Sequence, residues 1–366
     1  MSGETLVFLA GKRALKTIRS RGLGPDDVKV MAGAAGGPKW LILGHLDRVL
    51  FGSWFRGRRQ PLYLLGSSIG SWRFAADSCA DPVAAIDRME EAYIHQVYDH
   101  RPTPREISRK SRSIIDYTLG PDGPREALGH PFNRLSLVAV RSRHLIASEQ
   151  RLLLGLGLAA AVMANTLTRR SLRWFFRQTL FSDPRTPPPF ASMGQWPGAG
   201  SALSPANLNQ ALLASGSIPY VMDGVRHIAG APAGVYRDGG AADYHLDVPF
   251  GLNGEGIVLY PHFSRRIVPG WFDKHLSWRR PSADNMADVL MVAPSENFIS
   301  RLPNGKITDR KDFYRYAGDD EHRFACWQTV ADAGKILAED FMEAVTSGNI
   351  RKRVQPFEKH AQSLKK

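Results

Sequence analysis

Short, near-continuous apolar runs recur along this chain at 28–32 (VKVMA), 62–65 (LYLL), 135–140 (LSLVAV), 256–260 (GIVLY) and 289–293 (VLMVA). Runs of this length predict strands buried on both faces of a sheet. Between them, 41–50, 82–97 and 207–214 read as helices, and 329–345 reads as another after the last run. Strands alternating with helices predict an α/β fold with a mostly parallel central sheet.

The most apolar stretch, 152–167, is interrupted by Gly155, Gly157 and Asn165 and falls short of the roughly 20 residues a bilayer span requires. It predicts a buried helix. The segment that follows, 169–177, reads RRSLRWFFR. At helical spacing Arg169, Arg170, Arg173 and Arg177 share an arc of about 100°, and Leu172, Phe175 and Phe176 share another, which predicts a basic amphipathic helix. The proline-rich stretch 183–189 then reads as an extended connector. No internal repeat is visible, so the expected organisation is one domain over 1–350 with a helical insertion at about 150–182 and a basic tail at 351–366.

Directly after the run at 62–65 comes Gly66-Ser67-Ser68-Ile69-Gly70, and helix-compatible residues follow at 71–76. A strand entering G-x-S-x-G predicts a nucleophile elbow, where glycines on both sides of Ser68 clear space for an exposed hydroxyl. A helix opening at that point also offers free N–H groups to a developing negative charge.

A second turn, Gly33-Ala34-Ala35-Gly36-Gly37-Pro38-Lys39-Trp40, joins the strand at 28–32 to the helix at 41–50. Such a turn presents backbone N–H groups to an anion. A phosphate-binding Walker loop is excluded by Pro38 in place of glycine and Trp40 in place of serine or threonine, and the dinucleotide fingerprint does not match. The remaining use is an oxyanion hole formed by the N–H groups of Gly36, Gly37 and Ile69. No cofactor is implied.

Further on, Ala214-Ser215-Gly216-Ser217-Ile218-Pro219 precedes Val235-Tyr236-Arg237-Asp238-Gly239-Gly240. In order and approximate spacing, the glycine-rich loop, G-x-S-x-G, A-S-x-x-I-P and Asp-Gly-Gly resemble the patatin-like phospholipases, with the core motifs spread over 28–247. The resemblance implies a three-layer α/β/α core and a serine–aspartate dyad that cleaves acyl esters of lipids without a catalytic histidine. It places the nucleophile at Ser68, the dyad acid at Asp238, and the oxyanion loop at Gly36 and Gly37, with Gly66, Gly70, Lys39, Gly239 and Gly240 as motif support. The family's loop reads D-G-G-G-x-R-G, whereas this chain has Ala34 for the Asp, Ala35 for a Gly, Lys39 for the Arg and Trp40 for the last Gly. Lysine keeps the charge and loses the planar fork of donors. The segment 260–271 has no counterpart in the family pattern.

Other assignments of the same residues stay open at this level. Asp238-Gly239-Gly240 is also an ordinary turn sequence. Asp243, His245 and Asp247 alternate, so on a strand they would share a face and could ligate a metal, although no further ligand is evident nearby. Ser68, Asp238 and His245 follow the Ser-Asp-His order of α/β-hydrolase triads, with His227 and His262 as weaker candidates for the third member. A catalytically silent lipid- or protein-binding relative of the family is a further alternative.

Composition and charge narrow the setting. Two cysteines, Cys79 and Cys326, are too few for a disulfide framework and lack metal-ligand spacing. The first apolar run, 6–10, is shorter than a secretory leader's core and follows an acid, so the expectation is a cytoplasmic protein. A net charge of +13 favours anionic partners. Nucleic acid is not expected, because no helix-turn-helix, zinc or aromatic–basic sheet signature is present. The arginines of 169–177 point instead to an anionic membrane surface at the inner face of a membrane, alongside an acyl lipid substrate.

Overall fold

All five apolar runs become strands of one sheet, because such runs are satisfied only between two covering layers. The computed structural model describes residues 5–98, 100–191 and 200–357. Among these the strands are β1 (Leu6–Ala10), β2 (Val28–Gly33), β3 (Leu62–Ser67), β4 (Asn133–Ser142), β5 (Phe176–Ser182), β6 (Ser201–Ala202), β7 (Val235–Asp238), β8 (Ile257–Pro261), β9 (Val289–Pro294) and β10 (Gln355–Pro356). The α-helices are α1 (Lys12–Arg21), α2 (Gly44–Val49), α3 (Ile69–Ala76), α4 (Pro82–Ile94), α5 (Pro104–Leu119), α6 (Gly123–Gly129), α7 (Arg151–Leu167), α8 (Leu208–Gly216), α9 (Glu296–Ile299), α10 (Asp312–Arg315), α11 (Asp320–Thr346) and α12 (Ile350–Arg353).

Strand order is β10-β1-β9-β8-β2-β3-β4-β5-β6, with β7 beside β4. The block β9-β8-β2-β3-β4 is parallel throughout. Among the named strands, antiparallel pairing is confined to β1 with β9 and to β5 and β7 with β4. The chain is therefore a mixed α/β protein whose large, mostly parallel sheet is flanked by helices. In β2 and β3 only Lys29 and Tyr63 reach even partial exposure, and β8 and β9 are wholly buried.

The structure corrects three expectations. Residues 169–177 do not form a basic helix: Arg169–Trp174 is a 3-10 turn, and Phe176 opens β5. Pairing with β4 from Ser142↔Phe176 to Ser136↔Ser182 outweighs the local helical pattern. As a result the four arginines do not lie on one exposed face: Arg170, Arg173 and Arg177 are exposed, whereas Arg169 is buried against Pro269 O at 3.2 Å and Asp243 at 2.9 Å. The insertion at 150–182 is thus part helix and part strand. Secondly, α7 is a helix as expected but is buried on one side only. Thirdly, residues 351–357 join the fold: β10 pairs with β1, and Arg353 donates to Leu6 O at 3.2 Å. Residues 358–366 of the expected tail lie outside the described residues.

The helix that follows Ser68 is anchored by charge. Arg73 of α3 makes two bonds of 2.6 Å to the carboxylate of Asp47 on α2, with both side chains buried. Burial and the Asp47 charge push the neighbouring Asp77 carboxyl well above the usual carboxylate range. Removing one member of such a pair strands a charge in a low-dielectric interior. Arg73→Met should therefore lower unfolding free energy by about 3–5 kcal/mol in urea titrations, and adding Asp47→Leu should recover most of the loss.

Candidate active site

The corner after β3 is strained as an elbow requires. Ser68 has φ 55° and ψ −125°, a region that residues with side chains rarely occupy. It is held there by Ser215 of α8, whose Oγ accepts from Ser68 N at 2.9 Å and donates to Val138 O of β4 at 2.7 Å. Close packing explains the flanking glycines. A β-carbon on Gly66 would lie 2.5 Å from Ser71 N, and one on Gly70 would lie 2.2 Å from Gly33 O.

Asp238 arrives at the same corner by register. Ser67, the last residue of β3, pairs with Val138, and Asp238, the last residue of β7, pairs with the next residue, Ala139. Ser68 Oγ accordingly donates to Asp238 Oδ2 at 2.8 Å. The other carboxylate oxygen accepts from Gly240 N at 2.6 Å. Burial raises the affinity of the Asp238 carboxyl for its proton above that of an ordinary aspartate, against the opposing effects of Ser68, Gly240 N–H, Arg310 and Lys274.

Ser68 and Asp238 open on a cleft whose other walls include Gly36, Gly37, Tyr244, Trp271 and Arg310. Gly37 opens a 3-10 turn and has φ 57°, and Gly36 precedes it. Their N–H groups therefore have no acceptor within that turn. Ile69 is likewise the first residue of α3. Glycine at 36 is required by space, since a β-carbon would lie 2.5 Å from the Phe263 ring.

Some residues in and beside the cleft carry no signal in the sequence, unlike Lys39 of the glycine-rich turn. Trp271 and Phe263 belong to the 260–271 segment, which builds part of the wall. Lys274 places its Nζ 4.1 Å from the centre of the Tyr244 ring, and Lys39 places its own 4.8 Å from that of Phe263. Burial, with the charges of Arg310 and Lys39, pushes the Lys274 ammonium down to about 7. Lys39 thus stands behind the loop against an aromatic ring.

Asp243, His245 and Asp247 diverge. Residues 243–247 do not form a strand, so the alternation places nothing on a common face. Asp243 takes Arg169 and Gln178, His245 Nδ1 accepts from Val268 N at 3.0 Å, and Asp247 accepts from Ser282 N at 3.0 Å. His245 stacks on Tyr244 with ring centres 4.3 Å apart and lies edge-on to His262. Burial and neighbouring positive charge hold its imidazole well below the usual range, and burial holds that of His262 at about 3. His262 Nδ1 accepts from Ser264 N at 3.0 Å. The proton acceptor that touches Ser68 Oγ is Asp238.

No family model and no curated protein sequence matches this chain. Among solved structures it is similar to VipD from Legionella pneumophila, at 14% identity and a TM-score of 0.30, over 64% of this chain and 50% of VipD. The chain thus aligns with half the length of VipD. So distant a likeness carries no chemical argument.

Ser215 links the backbone of Ser68 to β4 through one hydroxyl. Ser215→Ala would leave Ser68 N–H and Val138 O without that partner in a buried corner. The expected loss is about 1–3 kcal/mol in urea unfolding, with native far-UV circular dichroism retained.

Proposed function

We propose that this protein is a serine–aspartate acyl hydrolase of the patatin-like kind, which cleaves carboxylic ester bonds of phospholipids or related acyl lipids through an acyl-enzyme. The observation that carries this reading is the 2.8 Å hydrogen bond from Ser68 Oγ to Asp238 Oδ2 at a strained strand-to-helix corner open to a cleft. A serine hydroxyl becomes an effective nucleophile when a base takes its proton. Asp238 suits that role, because burial makes its carboxylate more basic than one in water.

In this mechanism Ser68 Oγ attacks the ester carbonyl as its proton passes to Asp238 Oδ2. The carbonyl oxygen gains the negative charge and is met by the N–H groups of Gly36, Gly37 and Ile69, each worth about 2.7–4 kcal/mol in comparable sites. As the tetrahedral species collapses, the carbon–oxygen bond to the leaving alcohol breaks and the proton returns to that alcohol. Water then attacks the acyl-serine, giving a proton to Asp238; the carbon–oxygen bond to Ser68 Oγ breaks as Asp238 returns that proton to Oγ, and the acid product leaves. Gly240 N–H fixes Oδ1 throughout, which keeps Oδ2 aimed at the serine. The dyad is favoured over a triad because His245 is engaged with Val268 and packed among aromatic rings.

Intact mass after fluorophosphonate treatment tests the nucleophile. One adduct is expected on the wild type and none on Ser68→Ala; an adduct mapped to another serine would overturn the assignment, and a wild type that takes no adduct would favour the silent relative. Ester hydrolysis should fall by about 10³-fold or more in both Ser68→Ala and Asp238→Asn, because dyad members act as a unit. His245→Phe, which keeps a ring in place, should stay within about tenfold; a loss near that of Asp238→Asn would establish a triad instead.

The pH profile follows from the same carboxyl. Asp238 must be ionised to accept the proton, and its affinity for a proton is raised by the fold. Activity should thus be present at neutral pH and be lost as pH falls, with the acid limb of kcat/KM above about 3.9, the value of an unperturbed aspartate. A limb at or below that value would contradict burial as the source of basicity.

A further inference from the structure

We infer that the outer face of α7 docks this protein on an anionic bilayer surface beside the mouth of the cleft. Leu154, Gly157, Leu158, Ala161 and Asn165 form the buried side of the helix. Its solvent side, where a surface helix ordinarily carries polar residues, is apolar instead. Leu152, Met163 and Leu167 are 74%, 71% and 87% exposed, and Leu156 and Val162 are exposed between them. From 152 to 167 the chain holds no charged residue at all. A contiguous apolar face of this kind marks an interaction surface.

Charge around the face selects its occupant. No acidic residue occurs from 150 to 182, whereas Arg151 at the start of α7 and Arg170 and Arg173 just beyond its end are exposed. Trp174 is 60% exposed, with the Arg173 guanidinium 5.7 Å from its ring centre. Apolar residues bordered by arginine and tryptophan suit the boundary between headgroups and acyl chains, where cations meet lipid phosphates. Two copies packed through this face would bring like-charged arginines together, which disfavours self-association.

The helix is fastened to the cleft at both ends. Tyr220, directly after the cleft residues Ile218 and Pro219, donates its hydroxyl to Arg151 O at 2.8 Å. At the other end Asn165 Nδ2 donates to Asp273 Oδ1 at 2.8 Å, two residues from the cleft residue Trp271. Docking through α7 would therefore set the cleft at the edge of the bilayer. The inference goes beyond the proposed chemistry and does not depend on it.

The test is co-sedimentation of the full chain with vesicles of phosphatidylcholine alone or mixed with phosphatidylglycerol. Wild type and Ser68→Ala should both sediment with the mixed vesicles at low salt, and sedimentation should weaken as salt rises. The exposed-face variant Leu152→Gln/Leu156→Gln/Met163→Gln should cut the bound fraction at least tenfold with an unchanged urea midpoint. Arg151→Gln/Arg170→Gln/Arg173→Gln should remove the preference for anionic lipid. Equal sedimentation of wild type and the exposed-face variant would overturn the inference. So would a wild-type dimer in analytical ultracentrifugation that this variant dissociates, since a second copy would then be the occupant.

Discussion

The geometry of the site depends on one edge of β4. Over Asn133–Val138 that edge pairs with β3 running in the same direction, and from Ala139 to Ser142 it pairs with β7 running in the opposite direction. β5 occupies the other edge, so β3 and β7 lie end to end along a single line. Their C-terminal ends meet where Val138 gives way to Ala139. Placing Ser68 after one strand and Asp238 at the end of the other brings them within hydrogen-bond reach without a long loop. Gly239 is required at this junction, because a β-carbon there would lie 2.3 Å from Val138 O. Ser215 binds that same carbonyl and passes the restraint to Ser68 N. Ladder register thus fixes the positions of both backbones, and the side chains need little freedom to meet.

How much of this was legible in sequence follows from how local each signal is. The runs at 28–32 and 62–65 read correctly because burial on both faces leaves an apolar string with no competing periodicity. The strand-to-helix corner at Ser68 also read correctly, since its glycines answer clashes with residues a few positions away, such as Gly66 with Ser71. Asp238 was different: β7 has four residues and no pattern of its own, and only the order of segments in the family resemblance pointed to it. Segment 169–177 misled because nine residues fit a helical arc as well as a strand. The partner that decides, β4, lies more than thirty residues away.

Two cations around the cleft were invisible for a related reason. Arg310 and Lys274 come from stretches of chain far from the motifs and converge with Lys39 only in the folded molecule. Nothing in the sequence near 274 or 310 distinguishes these residues from solvated surface charges. Exposure was equally hard to foresee for α7, where Asn165 reads as an interruption of an apolar helix. In the structure Asn165 lies on the buried side and bonds to Asp273, while the leucines face outward.

Two opposing influences act on Asp238. Burial raises its affinity for a proton, and the nearby positive charges of Arg310 and Lys274 lower it. Burial prevails, which leaves a carboxylate more basic than one in water while the surrounding potential stays positive. These effects serve different moments of the proposed reaction. A basic carboxylate helps when the serine proton moves, and a positive surrounding helps when negative charge gathers on the substrate oxygen. Burial first, and then repulsion from Arg310 and Lys39, holds the Lys274 ammonium at about 7. In the proposed step the proton leaves Ser68 for Asp238, so one negative charge moves from the carboxylate to the substrate oxygen and none is added. Under the proposed reading, the surrounding cations therefore lower the barrier only through the difference between those two positions of the charge.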